Sequence, residues 1–465
     1  MNPRPNKADP VLIVGAGVFG LGCALELAKR GYSNVTVFDR LAPPVPDGSS
    51  CDISRIVRSD YSDPFYAALA KEALQAWRTG PFRSFYHNSG FVLTSESLPD
   101  AFLEKLKGVL RGQNIPFEDF DSTAELKAKF PCLHEINADF GGYLNPNAGW
   151  ADAAGAVGLL AALCTEKGVS IVTGPRGTVK SLRITKSGIE GVNVASGPPI
   201  MGSKVILATG AWTNALLDLT YAMSSSGQPV GFIQLTPEEA QTISQMPTLI
   251  NMTTGFFVFP PTPGTNILKV ACHGHGFETT IRAESTDQSI SAPKRDSNNA
   301  ASSFIPDSAD AALRHGLRQV LPSFAEKPWM RRRLCWYTDT PEGNFVIDHH
   351  PSIQGLFIAA GGAGQEGTAD GQREMEAAER PRNANAFCLQ RWEPQRSGKE
   401  DIIEGRASST VSKSRLCVER RFYNDTARRL ELSASESTYY PLILYQQERV
   451  PDQDFVVGKC VGPVN

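Results

Sequence analysis

This 465-residue chain lacks the signatures of several large functional classes. No apolar run reaches the roughly 18 residues of a membrane-spanning helix, so no membrane partner is expected. Nine cysteines, at 23, 51, 132, 164, 272, 335, 388, 417 and 460, form no CxxC pair. Residues 1–10 are short and polar, leaving no room for a cleaved secretory signal before the first structured motif. An intracellular reducing compartment is therefore expected rather than a disulfide framework, with cysteine serving by default as a small buried hydrophobe. Seven histidines, including His273/His275 and His349/His350, fall in no ligand spacing, so no metal is expected. Neither sign of charge dominates: 46 Lys+Arg oppose 49 Asp+Glu, and a net charge of -3 gives nucleic acid nothing to bind.

What the chain does have is a glycine-punctuated turn between two strand-like runs. Residues 11–39 read VLIVGAGVFGLGCALELAKRGYSNVTVFD. Gly15 permits a tight turn, Gly17 lets backbone approach a pyrophosphate, and Gly20 allows close helix-sheet contact. The helix that follows points free N–H groups at phosphate charge. Asp39, 19 residues beyond Gly20, is placed to accept ribose hydroxyls. Together these residues predict a bound dinucleotide, and with it redox chemistry.

The length allows two or three domains. A polar start followed by apolar periodicity predicts a helix through Leu69, Ala70, Leu74 and Trp77, and alanine-rich residues 151–167 predict another. Strand-like runs recur at VILATGAW (205–212), GFFVFP (255–260) and ILKVAC (267–272), and a further helix is expected around 310–321. This alternation predicts an α/β fold in which segments 10–80, 150–220 and 335–370 form a discontinuous nucleotide domain. Segments 81–149 and 221–334 then form a substrate domain, and 371–465 an atypical C-terminal region without sustained periodicity.

These segments resemble the flavin-dependent amine oxidases of the D-amino-acid-oxidase superfamily, in the branch of monomeric sarcosine oxidase, amadoriases and saccharopine oxidase. The resemblance rests on GAGVFG (15–20), SRIVRSDYSDPFY (54–66), GWADAAGAVGLL (149–160), VILATGAWTN (205–214), GFFVFPP with LKV (255–270) and CWYTDTPEGNFVID (335–348). It implies a Rossmann-type FAD-binding domain with an interleaved antiparallel-sheet α+β substrate domain. It also implies oxidation of the C–N bond of an N-substituted, secondary-amine amino acid, with dioxygen reduced to hydrogen peroxide, by a monomer. A biosynthetic relative whose imine cyclises, and an inactive flavin-binding paralogue, are the alternatives.

By the same resemblance Cys335 matches the cysteine joined through a thioether to the flavin 8-methyl group. The preceding Arg331, Arg332 and Arg333 would favour its thiolate if they face it. Lys269 matches the lysine near flavin N5 that assists reaction with dioxygen, and Arg55 and Arg58 match arginines near flavin or substrate. Arg55 is assigned to the flavin face beside Lys269 in catalysis; Arg58, Gly210 and Gly362 are assigned to cofactor binding, Gly210 in the turn containing Trp212. Asp339 and Asp348 are read as supporting polar groups.

The chain departs from its relatives after GGAG at 361–364, where QEGTAD replaces the expected GHGFK. Two readings stay open: other residues such as Arg373 hold the substrate, or a shifted frame or splice junction joins a foreign tail. The closing residues GPVN carry no Ser-Lys-Leu address. A cytoplasmic location is expected, with a peroxisomal one if the native C-terminus differs.

Overall fold

The computed structural model describes residues 6–283, 289–293 and 304–363. The expectations for 371–465, for Arg373 and for the QEGTAD departure lie outside the described residues. No described helix is long and apolar enough to cross a membrane.

Strand β1 (Val11–Val14) is buried on both faces and pairs in parallel with β2 (Val35–Phe38) and with Lys204–Leu207. Ser170–Val172 extends the sheet beyond β2, while Leu356–Ala360 and Val346–His349 extend it on the other side, the last antiparallel. The result is a six-stranded, mostly parallel sheet of the Rossmann type. Helix α1 (Val18–Lys29) crosses from β1 to β2 and packs with Ala153–Glu166 on one face through Leu21, Leu25, Val157 and Leu160. The second helix starts at Asp152, whose carboxylate accepts from Gly155 N at 2.9 Å. The other face is covered by the three-stranded meander 179–201.

A second sheet has eight strands, in the order 331–339, 224–234, 267–272, 256–258, 248–251, 91–95, 141–145, 118–120. All its pairings are antiparallel except 248–251 with 91–95. Helix Asp307–Val320 buries Leu313, Leu317 and Val320 against one face, together with Leu268 and Val270. Period-2 alternation then sends Lys269 and Ala271 to the opposite face.

That opposite face carries the chemistry. In register, Lys269 lies beside Phe232 and Arg331, Ala271 beside Val230 and Arg333, and Cys335 beside Gln228. Arg331, Arg333, Cys335 and Tyr337 therefore share one side of Arg331–Asp339, the cysteine strand.

Candidate flavin site

Two neighbouring hollows contain most of the sequence-predicted residues. The first is a cleft at the carboxyl ends of the parallel strands, with about 1360 Å³ of empty volume including its open mouth. Gly15, Gly17, Asp39, Gly210, Trp212 and Gly362 line it. Open parallel sheets bind ligands at this end, outside the strand termini.

The glycines divide the work differently from one another. Gly15 has φ +110°, and a Cβ there would lie 2.3 Å from Ala208 O; a Cβ at Gly20 would lie 1.8 Å from Gly15 O. Gly20 permits the strand-turn-helix packing itself, and Gly15 lets the turn pass close to Ala208 at the end of the neighbouring strand. Gly210 has φ +51° with no atom within 4 Å of where its Cβ would be, so its bare backbone borders open space. Gly17 caps α1, and Val18 N donates to Ser50 Oγ at 3.0 Å, which brings the 46–55 loop against the helix start.

Asp39 sits at the end of β2, and burial pushes its carboxyl above the usual carboxylate range, against hydrogen bonds from backbone amides. Its Oδ2 accepts from Ala16 N at 2.7 Å and its Oδ1 from Arg40 N at 2.7 Å. The acid thus braces the glycine turn in addition to lining the cleft. Arg40 is held by Asp47 at 2.9 Å and lies 5.1 Å from the centroid of the Trp212 ring.

The second hollow is a smaller inner pocket on the eight-stranded sheet. Arg55, Gln228, Phe257, Lys269, Cys335 and Tyr337 are among its walls. Arg55 begins β3 (Arg55–Val57), a short strand paired with Gly149–Ala151. Its Nη2 donates to Cys335 Sγ at 3.1 Å and to Ser49 O at 2.7 Å. Lys269, 2 % exposed, donates to Ser54 O at 2.6 Å and lies 4.7 Å from the Phe259 ring centroid. Its strand is paired on both sides, so a lysine on a sheet edge pointing to water is excluded.

Asp52 joins the pocket's charges. Its Oδ2 lies 2.6 Å from Arg55 Nη1, 3.0 Å from Lys269 Nζ and 2.8 Å from Arg333 Nη2. Burial alone would push this carboxyl up, but Lys269, Arg333 and Arg55 together hold it well below the usual range. Lys269 is pushed down to about 7 by burial, with Asp52 opposing that shift and Arg55 adding to it.

Sequence reading did not single out Asp52. A usable signal was present: a carboxylate three residues before Arg55, at the entry to a strand with an apolar centre. Of the three arginines before Cys335, Arg332 points away and pairs with Asp310 at 2.7 Å, while Arg331 lies over the Phe232 ring at 4.4 Å. Arg58 does not join Arg55; its guanidinium covers the Tyr61 ring at 4.4 Å. The His273 ring is 5.5 Å from that of Tyr337, next to the pocket, and Asp339 Oδ2 accepts from Ser226 Oγ.

The donors suit an FAD with its phosphates at the glycine turn and its ring toward the inner pocket. Gly210 leaves bare backbone along the cleft, and the buried Trp212 Nε1 lines it with no hydrogen-bond partner among the described residues. A buried donor left in that state calls for an acceptor from a ligand. Cations concentrated around Asp52 suit a ring system that gains negative charge on reduction.

Comparison with known proteins agrees. The family model for FAD dependent oxidoreductases (DAO) matches residues 10–368. The chain is 31 % identical to L-saccharopine oxidase of Schizosaccharomyces pombe over 376 residues, covering 76 % of this chain and 85 % of that protein. It is 24 % identical to monomeric sarcosine oxidase of a Bacillus species, covering 76 % and 88 %. Among solved structures, fructosyl peptide oxidase of Aspergillus nidulans superposes with a TM-score of 0.71 at 27 % identity, covering 77 % of this chain and 86 % of that one. Amadoriase II, the fructosamine oxidase of Aspergillus fumigatus, gives 0.67 at 25 % identity, covering 84 % and 88 %. Fold, glycine turn and matched length converge: the chain is an FAD-binding enzyme and belongs to the FAD dependent oxidoreductase family.

Proposed function

We propose that the chain oxidises the C–N bond of a secondary-amine, N-substituted amino acid, passing electrons through FAD to dioxygen and releasing hydrogen peroxide. The observation that carries this reading is the convergence of Arg55, Lys269 and Cys335, from three distant segments, on one buried pocket beside the nucleotide cleft. Relatives named for saccharopine, sarcosine and fructosyl amines support the substrate class.

Bound FAD supplies the two-electron acceptor for the C–H bond next to nitrogen. The chain supplies placement and field. Cys335 Sγ is the attachment atom. Through that sulfur Cys335 would hold the flavin ring as a thioether in the inner pocket. Arg55, donating to that sulfur at 3.1 Å, fixes its position in the pocket. Lys269 holds a proton and a positive charge where dioxygen becomes an anion, a preorganised electrostatic effect. Phe257, Tyr337 and Gln228 give the remaining space apolar walls with one amide, suited to an amine substituent.

The division into a cofactor domain (10–80, 150–220, 335–370) and a substrate domain (81–149, 221–334) is part of the same reading, except that 335–339 pair with 224–234 in the eight-stranded sheet and 364–370 lie outside the described residues; so is a peroxisomal location, which the names of mouse and human relatives support. The test is a peroxide assay over a panel of N-alkyl, N-carboxyalkyl and N-glycosyl amino acids, with primary amino acids as controls. Peroxide from the substituted set is expected; turnover of primary amino acids alone would overturn the substrate class.

A further inference from the structure

Three buried cations meet on one carboxylate oxygen, and the reading above uses only two of them. Arg55, Lys269 and Arg333 all contact Asp52 Oδ2, and none of the four side chains is more than 6 % exposed. Arg333 pairs with a carboxylate that Arg55 and Lys269 already contact. With one carboxylate against three cations, it adds a buried positive charge that is costly to desolvate.

Its bonds indicate what it does. Nη2 donates both to Asp52 Oδ2 and to Cys51 O, each at 2.8 Å, fastening the 46–55 loop to the cysteine strand. Asp52 Oδ1 already accepts from Ile53 N at 2.8 Å, so the three cations compete for the lone pairs of Oδ2. Arginine stays charged at any pH a protein survives, whereas a buried lysine can lose its proton. Any share of Oδ2 that Arg333 takes is therefore withdrawn from Lys269.

We propose that Arg333 is a positioning residue: by sharing Asp52 Oδ2 it loosens the hold of that carboxylate on the Lys269 ammonium and keeps the Lys269 proton exchangeable during turnover. The groups facing Lys269 are Asp52 and Arg55 from the loop and β3, Arg333, Cys335 and Tyr337 from the cysteine strand, and the Phe259 ring. Of these Asp52 and Cys335 favour the charged lysine and Arg55 disfavours it; the Arg333 charge, on the same Asp52 oxygen, acts in the sense of Arg55. The proposal rests on the reading that Lys269 faces the flavin.

The test titrates the visible absorption of the FAD-loaded protein with pH. The wild type is expected to show a transition near 7, where burial places Lys269, and Lys269→Met to lose it. Arg333→Gln is expected to raise the transition by about one pH unit, and Arg333→Lys to return it more than halfway. A second readout needs no cofactor. Between about 7 and 10.5 the unfolded chain binds a proton at Lys269 that the folded chain does not, so urea stability should rise with pH across that window. In Arg333→Gln the rise should begin about one unit higher.

A folded Arg333→Gln with the wild-type transition overturns the proposal. So does failure of both Arg333 variants to fold, which would make Arg333 a folding residue. A transition that is absent from the wild type, or that persists in Lys269→Met, overturns the placement of Lys269 itself, a result distinct from Arg333 variants that move nothing.

Discussion

The outer cleft and the inner pocket lie side by side but are built by opposite means. The cleft is made by leaving side chains out: Gly15 and Gly20 let backbone pack on backbone, and Gly210 opens a wall. Its one carboxylate, Asp39, is anchored by two amides. The pocket is made by putting charge in, with three cations and one carboxylate removed from water. Local spacing is enough to build the glycine turn of the first. The second needs loop 46–55, strand Ile267–Cys272 and strand Arg331–Asp339 to arrive together, and so depends on the whole sheet register.

Substitutions should therefore separate the two regions. The largest effect is expected from Asp52→Asn, which leaves three buried cations without an anion and should cost about 3–5 kcal/mol in urea unfolding. A loss confined to a few tenths would mean that the charges are not buried together. Lys269→Met should come next, slowing stopped-flow reoxidation of the reduced flavin by dioxygen about 10²–10³-fold while substrate-driven bleaching changes less. In the wild type the same rate should fall as pH rises through about 7, because Lys269 is charged below that value and neutral above it.

Gly15→Ala acts on the other region. At φ +110° an alanine is strained, and its Cβ would collide with Ala208 O, so a cost of about 1–3 kcal/mol from backbone strain alone is expected, with reduced FAD content at purification. The smallest effect is expected from Trp212→Phe. Losing one buried donor should weaken FAD binding by about 1 kcal/mol, roughly fivefold, measured by flavin fluorescence on reconstitution. If either cleft variant moved the pH dependence of reoxidation, the separation between the regions would fail.

Legibility in the sequence follows the same division. The βαβ unit and Asp39 are readable from spacing, because Gly20 answers a contact within the turn, at Gly15 O, and Asp39 ends the next strand of the same unit, although Gly15 answers Ala208 O on a distant strand. The helix at 151–167 was readable to within two residues at its start, where Asp152 supplies the cap. Lys269 and Cys335 drew attention only through the family resemblance, since a lone lysine or cysteine in an apolar strand carries no signal of its own. Asp52 is not legible in the sequence because its partners lie 217 and 281 residues away at Lys269 and Arg333. For the triple arginine the condition of facing Cys335 fails at Arg332, which alternation along the strand turns to the opposite side, toward Asp310.

On the proposed function the two regions hold one cofactor between them, anchored in the pocket at Cys335. Denaturing gel electrophoresis of the FAD-loaded protein under ultraviolet light tests it most directly, with Cys335→Ala run alongside. The predicted result is a fluorescent flavin band that migrates with the wild-type chain and vanishes in the variant, while the native variant stays yellow. A wild-type band without fluorescence, or one that persists in Cys335→Ala, would contradict it.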